Sequence, residues 1–173
     1  MILGHKVALG PILPTDFALL FQWADDLDDA RLNEPYRPPS WQRQEHYWLN
    51  AENDPSRVLF AIRSRPEAGF IGYVQIRDIH PVHRSATIGL RIGVVAERGR
   101  GRGREALALA VDYCWRQLNL TRLALSVFSD NAAALALYRT EGFREEGVME
   151  RALFIDGRWI DLVLMARLHD SRH

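Results

Sequence analysis

In Val94-Val-Ala-Glu-Arg-Gly-Arg-Gly-Arg-Gly-Arg-Glu-Ala106, alternate glycines follow a predicted strand and lead directly into a predicted helix. Glycine lets the backbone turn tightly and carries no Cβ that would block a ligand. The amides after the turn lie at a helix N-terminus, where the partial positive charge attracts phosphate oxygens. The interleaved arginines can add charge-assisted hydrogen bonds. The stretch therefore predicts a site for a phosphate-bearing ligand.

Other phosphate-binding motifs fit this stretch poorly. No Gly-Lys-Ser/Thr closes it, as in a Walker loop, and the Gly-x-Gly-x-x-Gly spacing of a dinucleotide fold is absent. A flexible Arg-Gly tract that binds nothing, or binds RNA loosely, is the alternative. The strand before the glycines and the alanine-rich helix after them argue against it.

Hydrophobic periodicity predicts alternating helices and strands on both sides of this loop. The Asp156-Gly157 pair predicts a hairpin turn, and Thr15-Asp16 predicts a helix cap. In chain order we expect a strand at 6–9, helices at 17–23 and after Ser40, strands at 58–62, 70–79 and 85–95, a helix at 103–118, a strand at 123–127, a helix at 132–139 and the closing hairpin. This order predicts one mixed α/β (α+β) domain over residues 1–173.

A second motif lies downstream, in Asn131-Ala-Ala-Ala-Leu-Ala-Leu-Tyr-Arg-Thr-Glu-Gly-Phe143. Asn131 is placed to cap a short helix and Gly142 is placed to end it. Tyr138 lies seven residues after Asn131, on the same helical face. A phenol with a pKa near 10 is a workable acid for a leaving thiolate, although an isolated tyrosine more often serves packing.

Together the two motifs resemble the GNAT acetyltransferase superfamily. Arg98-x-x-Gly101-x-Gly103 is similar to its pyrophosphate loop, with Arg100 as an alternative head of the loop. The segment from Asn131 is similar to its Asn-x-x-Ala…Tyr-x-x-x-Gly-Phe pattern. Within the superfamily, the chain resembles the bacterial spermidine N-acetyltransferases and the related ribosomal-protein N-terminal acetyltransferases (RimJ/RimL-like), through 33–36, 82–86, 112–113, 118–120 and 156–161.

The resemblance implies a GNAT fold, with a central, mostly antiparallel sheet flanked by helices. Its fourth strand, about 90–95, would splay from the fifth, at 123–127. Acetyl-CoA would be the acetyl donor, the amide of Val94 or a neighbour would polarise the thioester carbonyl, and Tyr138 would protonate the thiolate. The amine would attack directly, without an acyl-enzyme. The expected cofactor-binding residues are Ile92, Gly93, Val94, Arg98, Gly99, Arg100, Gly101, Arg102, Gly103, Asn131, Ala134 and Tyr138.

The resemblance places an acceptor cleft near Glu34, Tyr36, Trp41 and Gln75, with His46 and Tyr47 beside them. Gln75 and Thr87 stand where the polyamine enzymes carry acids. A primary amine of a polyamine, an amino sugar or an aminoglycoside-like ring is therefore the expected acceptor. A protein N-terminus, or a sensor domain that only binds acyl-CoA, is the alternative. His80 or His83 is a candidate base, although water relay can also serve.

The composition limits the classes of partner that we expect. The 173 residues carry 22 basic and 22 acidic side chains, so the bulk electrostatic case for a nucleic-acid partner is missing. We also expect no membrane partner and no metal, and cytoplasmic localisation, since no signal peptide or long apolar stretch is evident. Cys114, the sole cysteine, is expected to be a core residue. A homodimer or higher homo-oligomer is expected from the resemblance, with the strand 159–165 as a candidate contact.

Overall fold

The secondary structure follows the predicted order. A computed structural model describes residues 1–30 and 35–170, in which eight strands form one sheet in the order β1-β2-β3-β4-β5-β6-β8-β7. The strands are β1 (Ile2–Leu3), β2 (Val7–Gly10), β3 (Val58–Ser64), β4 (Phe70–His80), β5 (Ser85–Ile92), β6 (Arg122–Phe128), β7 (Arg144–Ile155) and β8 (Arg158–Leu168). The helices are α1 (Phe17–Ala24), α2 (Leu27–Ala30), α3 (Trp41–Leu49), α4 (Arg102–Arg116) and α5 (Ala132–Thr140).

Strand pairing confirms the mostly antiparallel sheet. Every neighbouring pair is antiparallel except β5 and β6, which run parallel and pair only from Ser85–Arg122 to Thr87–Ala124. Beyond Thr87 and Ala124 the two strands separate. These are the fourth and fifth strands of the sequence prediction, since the short β1 adds one to the count. The predicted splay is therefore present.

The predicted hairpin joins β7 to β8. Asp156 has a φ of 52° and Gly157 a φ of 80°, the left-handed pair that a two-residue hairpin turn requires. The turn places Ile155 opposite Arg158.

The main core lies between α4 and one face of the sheet. One side of α4 is fully buried against β2 to β6, through Ala106, Leu107, Ala110, Val111 and Cys114. Burial of Cys114 agrees with its prediction as a core residue, and it raises the pKa of the thiol to about 12. A second cluster covers the opposite face, where α1 and α3 pack through Phe17, Leu20, Trp23 and Trp48. None of the helices within 1–30 and 35–170 is long and apolar enough to cross a membrane.

Two local predictions differ from the structure. Asp16 does not cap α1; its carboxylate accepts the amide of Leu13 at 2.8 Å and pairs with Arg63 at 2.7 Å. Strand β5 ends at Ile92 and not at 95, because the amides of Gly93 and Val94 both donate to the carbonyl of Ile71. Two amides on one acceptor break the regular ladder.

Candidate active site

The glycine loop turns directly into α4. A short turn at Val95–Glu97 follows β5, and Gly99 and Gly101 then adopt positive φ angles of 72° and 77°. Gly101 is the N-cap of α4, and its carbonyl accepts the amide of Glu105. The amides of the first helical residues before Glu105 have no carbonyl within the helix to bond. They therefore point outward at the positive end of the helix, where phosphate oxygens are favoured.

Most arginine side chains of the loop already bind protein groups. Arg98 donates from Nε to the carbonyl of Ile92 at 2.8 Å, and Arg104 donates to Glu141 at 2.7 Å. Arg102 forms an ion pair with Glu97 inside the loop. Arg100 is exposed. The arrangement favours backbone amides as the main hydrogen-bond donors to a phosphate, while the arginine side chains stabilise the conformation of the loop.

Two residues that the sequence analysis did not assign to the site join this loop to residues 5–7, which lie almost 100 positions earlier in the chain. Lys6 donates from Nζ to the carbonyl of Arg100 at 3.0 Å, which brings a cation to the glycine turn. Glu105 accepts the backbone amides of His5, Lys6 and Val7 at 3.0, 2.7 and 2.8 Å. Burial opposes ionisation of Glu105, but the three amides outweigh it and hold its pKa below the ordinary value of 4.5.

The gap between β5 and β6 opens beside this loop. Gly93 bonds toward β4, so by strand alternation Leu90 and Ile92 direct their backbone groups toward the gap. The carbonyl of Ile92 accepts Arg98 there. The amide of Val94 donates to Ile71 at 3.2 Å, on the β4 side. Of the residues predicted to meet the pantetheine arm, Ile92 faces the gap, whereas Gly93 and Val94 donate toward β4.

A close ring contact explains the glycine at position 93. A Cβ there would lie 2.1 Å from the Trp23 indole. Only glycine fits between β5 and this ring, so Trp23 of α1 lies directly over the end of β5.

Tyr138 reaches the same gap from α5. Its ring is buried, with 7% exposed, and meets Phe143 edge-on at 5.7 Å between centroids. Burial raises the pKa of Tyr138 to about 12, and a hydrogen bond with the backbone of Leu90 opposes that rise. The phenol therefore stays protonated near neutral pH and lies against the gap-facing edge of β5.

The predicted cap of α5 holds this tyrosine in place. Asn131 accepts the amide of Ala134 on its side-chain oxygen at 3.1 Å, so two predicted cofactor contacts bond to each other. Gly142, with a φ of 83°, follows the helix as predicted. Both ends of α5 are thus fixed by the residues that the motif specifies.

The predicted acceptor residues fall into separate environments. The phenol of Tyr36 donates to Asp25 at 2.9 Å, and this hydrogen bond raises the pKa of Tyr36. Trp41 packs edge-on against Phe17 at 4.6 Å while half of its surface stays exposed. Gln75 lies on β4 and accepts the phenol of Tyr47 at 2.6 Å. Glu34 falls outside the described residues, so its role stays a prediction.

The histidines proposed as a base lie at the opposite end of β5. His80 and His83 stack on each other with centroids 4.1 Å apart, at the turn between β4 and β5. Ser85 begins β5, and the five residues from there to Leu90 span roughly 16 Å of strand. Neither ring reaches the gap directly. Within the described part of the chain, no group of three His, Cys, Asp or Glu side chains could hold a metal ion.

Comparison with known proteins agrees with this geometry. Residues 6–144 match the acetyltransferase (GNAT) domain. The chain belongs to the GNAT acetyltransferase family. The spermidine N(1)-acetyltransferase of Escherichia coli K12 is 29% identical over 164 residues, covering 94% of this chain and 86% of that protein. This acetyltransferase therefore matches that relative over most of its length.

Solved structures place this acetyltransferase in the same group. The spermidine N-acetyltransferase of Vibrio cholerae, in complex with CoA and spermine, superposes with a TM-score of 0.85 at 27% identity, covering 94% of this chain and 95% of that one. A dodecameric structure of the Vibrio cholerae enzyme superposes with a TM-score of 0.79 at 25% identity, covering 94% of each chain. The predicted fold, family and N-acetyltransferase activity are confirmed.

Proposed function

We propose that this acetyltransferase transfers an acetyl group from acetyl-CoA to a primary amine of a small molecule, in the gap between β5 and β6. The observation that carries the proposal is the buried phenol of Tyr138, which lies against Leu90 where the two strands separate. A proton donor and an open strand edge lie together there, and the start of α4, which is suited to phosphate, lies beside the same edge, since a Cβ on Gly103 would be 3.6 Å from the side chains of Leu90 and Ile92.

The donor side of the gap suits acetyl-CoA. The outward amides at the start of α4, together with Gly99, Gly101 and Lys6, would hold the pyrophosphate. The gap-facing backbone of Leu90 and Ile92 would pair with the pantetheine arm, as a neighbouring strand would. The Vibrio cholerae relative binds CoA, which supports this assignment. The carbonyl of Ile92 already accepts Arg98 and the backbone of Leu90 already bonds the Tyr138 phenol, so the amide of Ile92 is the main contribution of this edge.

The chemistry needs few protein groups. The neutral amine attacks the thioester carbonyl, a carbon–nitrogen bond forms and the carbon–sulfur bond breaks. Tyr138 donates its phenolic proton to the leaving sulfur. The proton lost by the amine passes to water, because neither His80 nor His83 reaches the gap. No covalent bond to the enzyme is required.

The acceptor side favours a small amine. Tyr47 and Gln75 join α3 to β4 on the face of the sheet that α1 and α3 cover. The Vibrio cholerae relative was solved with spermine, which supports a small-molecule amine. The strand positions Gln75 and Thr87 are neutral, however, and a polycation that leaves water requires pairing. Amino sugars that carry one amine therefore stand beside polyamines as acceptors to test. Aminoglycoside-like rings carry several amines and share the pairing requirement of polyamines, so they are tested with them.

The hairpin tip provides a surface for a homodimer. Phe154 and Trp159 lie opposite each other, pack at 5.2 Å between centroids, and leave 53% and 59% of their surfaces exposed. Two large neighbouring aromatic side chains at an exposed tip favour contact with a second protein surface. A relative forms a dodecamer, which supports assembly of identical chains.

A thiol-release assay tests the proposal. Acetyl-CoA is incubated with spermidine, aminoglycosides, amino sugars, amino acids and short peptides, and acetylated products are identified by mass spectrometry. We expect turnover with one class of small amine and strongly reduced turnover for Tyr138→Phe. Tight acetyl-CoA binding with no turnover on any small amine would contradict the proposal. Turnover on peptides alone would move the assignment to protein N-termini.

A further inference from the structure

One line of residues crosses the sheet at the gap and shares a single face. Gln75 on β4 lies opposite Gly89 on β5, and Thr87, two residues earlier, shares that face. Thr87 pairs with Ala124 on β6, so Ser126, two residues later, also shares it. The hydrogen bond of Gln75 to Tyr47 identifies this as the face that α1 and α3 cover.

Helices cover only part of this face. A Cβ built on Gly89 meets no atom of residues 1–30 or 35–170 within 4 Å, although β5 is an interior strand. Ser126 is exposed, although β6 lies between β5 and β8. Interior positions of a sheet are normally covered on both faces in a mixed α/β domain. Gly89 and Ser126 therefore mark an open trough, which we name the Gly89–Ser126 trough.

The trough opens onto the reacting end of the gap. Gly89 directly precedes Leu90, whose backbone lies against Tyr138. Ser126 lies two residues beyond Ala124, where pairing between β5 and β6 stops. The two residues thus lie on the two strands that separate, one on each side of the gap.

We propose that Gly89 and Ser126 form the floor of the acceptor pocket and set the size of the group carried next to the reacting amine. This inference rests on the function proposed above and extends it to two residues. Glycine at position 89 leaves room for a bulky body, and Ser126 offers one hydroxyl for a hydrogen bond. The floor therefore selects by shape and polarity.

The charge of the floor defines the class of that group. Gln75, Thr87, Gly89 and Ser126 carry no charge. The flanking positions on the same face are Arg77, opposite Thr87, and Arg91, opposite Tyr73. A second cation on the acceptor would meet like charge there. The trough is suited to a neutral, hydroxylated or apolar body, such as a sugar ring, beside a single reacting amine.

An affinity reagent tests the location without any acceptor. Ser126→Cys is incubated with bromoacetyl-CoA. The cysteine thiolate attacks the methylene carbon, a carbon–sulfur bond forms, bromide leaves, and the thiol proton goes to water. The native Cys114 is fully buried, so it contributes little background. We expect one adduct by intact mass, formed at least tenfold faster than in Gly147→Cys and suppressed by excess CoA.

Gly147 is a matched control position. It is exposed on β7, and a Cβ there also meets no atom of the described residues within 4 Å. It pairs with Leu164, which lies opposite Ser126. It shares the same face but lies two strands from Ser126, roughly 10 Å away. Equal alkylation of the two cysteine variants, or no alkylation of Ser126→Cys, would overturn the location of the floor.

Side chains of increasing size at position 89 then test whether the floor selects the acceptor by size. Gly89→Ala and Gly89→Leu are compared with Gly147→Leu on a ring amine and on a short linear amine that the wild type acetylates. We expect Gly89→Leu to raise KM for the ring amine at least tenfold and for the linear amine less, with Kd for CoA within twofold. Equal KM values for wild type and Gly89→Leu would overturn the inference. A wild type that acetylates no amine would instead overturn the proposed function, while the alkylation result still decides the location.

Discussion

Tyr47 and Gln75 are joined by a 2.6 Å hydrogen bond that connects α3 to β4 across the candidate acceptor pocket. The phenol donates and the side-chain oxygen of Gln75 accepts, so the orientation of the Gln75 amide is fixed. The guanidinium of Arg57 lies 4.5 Å above the Tyr47 ring, and Trp48 packs edge-on against it at 5.1 Å. Packing against Arg57 and Trp48 thus fixes the Tyr47 ring, and the hydrogen bond from its phenol fixes the side chain of Gln75.

Removal of that phenol should weaken acceptor binding. Tyr47→Phe keeps the ring and its packing but leaves the Gln75 oxygen without this donor, at a cost of about 1 kcal/mol. We expect KM for the acceptor to rise roughly fivefold, the factor that this energy corresponds to, with kcat and Kd for CoA nearly unchanged. Steady-state kinetics and calorimetry measure these quantities. Tyr113→Phe, on α4, is the control, and an equal rise in KM in that variant would contradict a specific role.

Tyr138 should act in the chemical step and not in binding. Tyr138→Phe removes the proton donor while keeping the packing against Phe143, so we expect kcat to fall by roughly 100-fold, within the range for a general acid. Kd for CoA should stay within twofold. Rapid-quench kinetics and calorimetry separate the two. Unchanged single-turnover rates in this variant would refute the acid role.

The pH dependence follows from the direction of the Tyr138 shift. Its pKa of about 12 keeps the phenol protonated across the usual assay range. The rate should therefore rise with pH as the acceptor amine loses its proton, with no falling limb from Tyr138 below about pH 11. A falling limb between pH 8 and 10 that disappears in Tyr138→Phe would show that the phenol ionises earlier.

The sequence was sufficient for the features that depend on local patterns. The glycine turn, the Asn131 cap and the Asp156-Gly157 hairpin each require particular residues at fixed spacing, and each is present in the structure. The family pattern added the splay and the place of Tyr138. These are the parts of the site that backbone geometry controls.

The remaining features depend on contacts between distant residues. Glu105 meets the amides of Lys6 and Val7 across about 100 positions of chain, and Tyr47 meets Gln75 across 28. Hydrophobic periodicity in the sequence does not predict contacts between residues so far apart. The open space above Gly89 could not be predicted from the sequence either, because it depends on where α1 and α3 stop covering the sheet and not on the glycine itself.

Gly101 should be required for donor binding. Its φ of 77° strains any β-branched residue, and a Cβ would lie 2.8 Å from Nζ of Lys6. We expect Gly101→Val to weaken acetyl-CoA binding at least 100-fold, as measured by calorimetry. Gly157→Val introduces the same strain at a φ of 80° in the hairpin turn. Both variants should lose thermal stability, but only Gly101→Val should lose acetyl-CoA; normal binding by it would refute the loop assignment.

Glu105 should stabilise the fold in a pH-dependent way. Glu105→Gln removes the negative charge and turns one of the two accepting oxygens into an NH2 group, which cannot accept a backbone amide. We expect a loss of about 1 kcal/mol in the free energy of unfolding at pH 7. The folded-state pKa of Glu105 lies below its ordinary 4.5, so its stabilisation is complete above that value and is lost as pH falls through the folded pKa.

Urea unfolding at pH 7 and at decreasing pH values measures this dependence. Wild type and Glu105→Gln should converge in acid, whereas the exposed Glu150→Gln should match wild type throughout. A constant difference between wild type and Glu105→Gln at every pH would mean that the carboxylate charge is not what stabilises the loop.

The hairpin tip should carry the contact between identical chains. Trp159→Glu places a charge on the exposed Phe154–Trp159 pair, and burying that charge in an interface would cost several kcal/mol. We expect wild type to elute as an oligomer of the 19.8 kDa chain in size-exclusion chromatography with light scattering, and Trp159→Glu to elute at a smaller mass with its circular dichroism unchanged. Val82→Glu, at the exposed β4–β5 turn, should assemble as wild type does. A wild type that is monomeric at all concentrations would show that the tip forms no contact between identical chains. A Trp159→Glu variant that assembles normally would place the contact elsewhere, because the tip would then tolerate a charge.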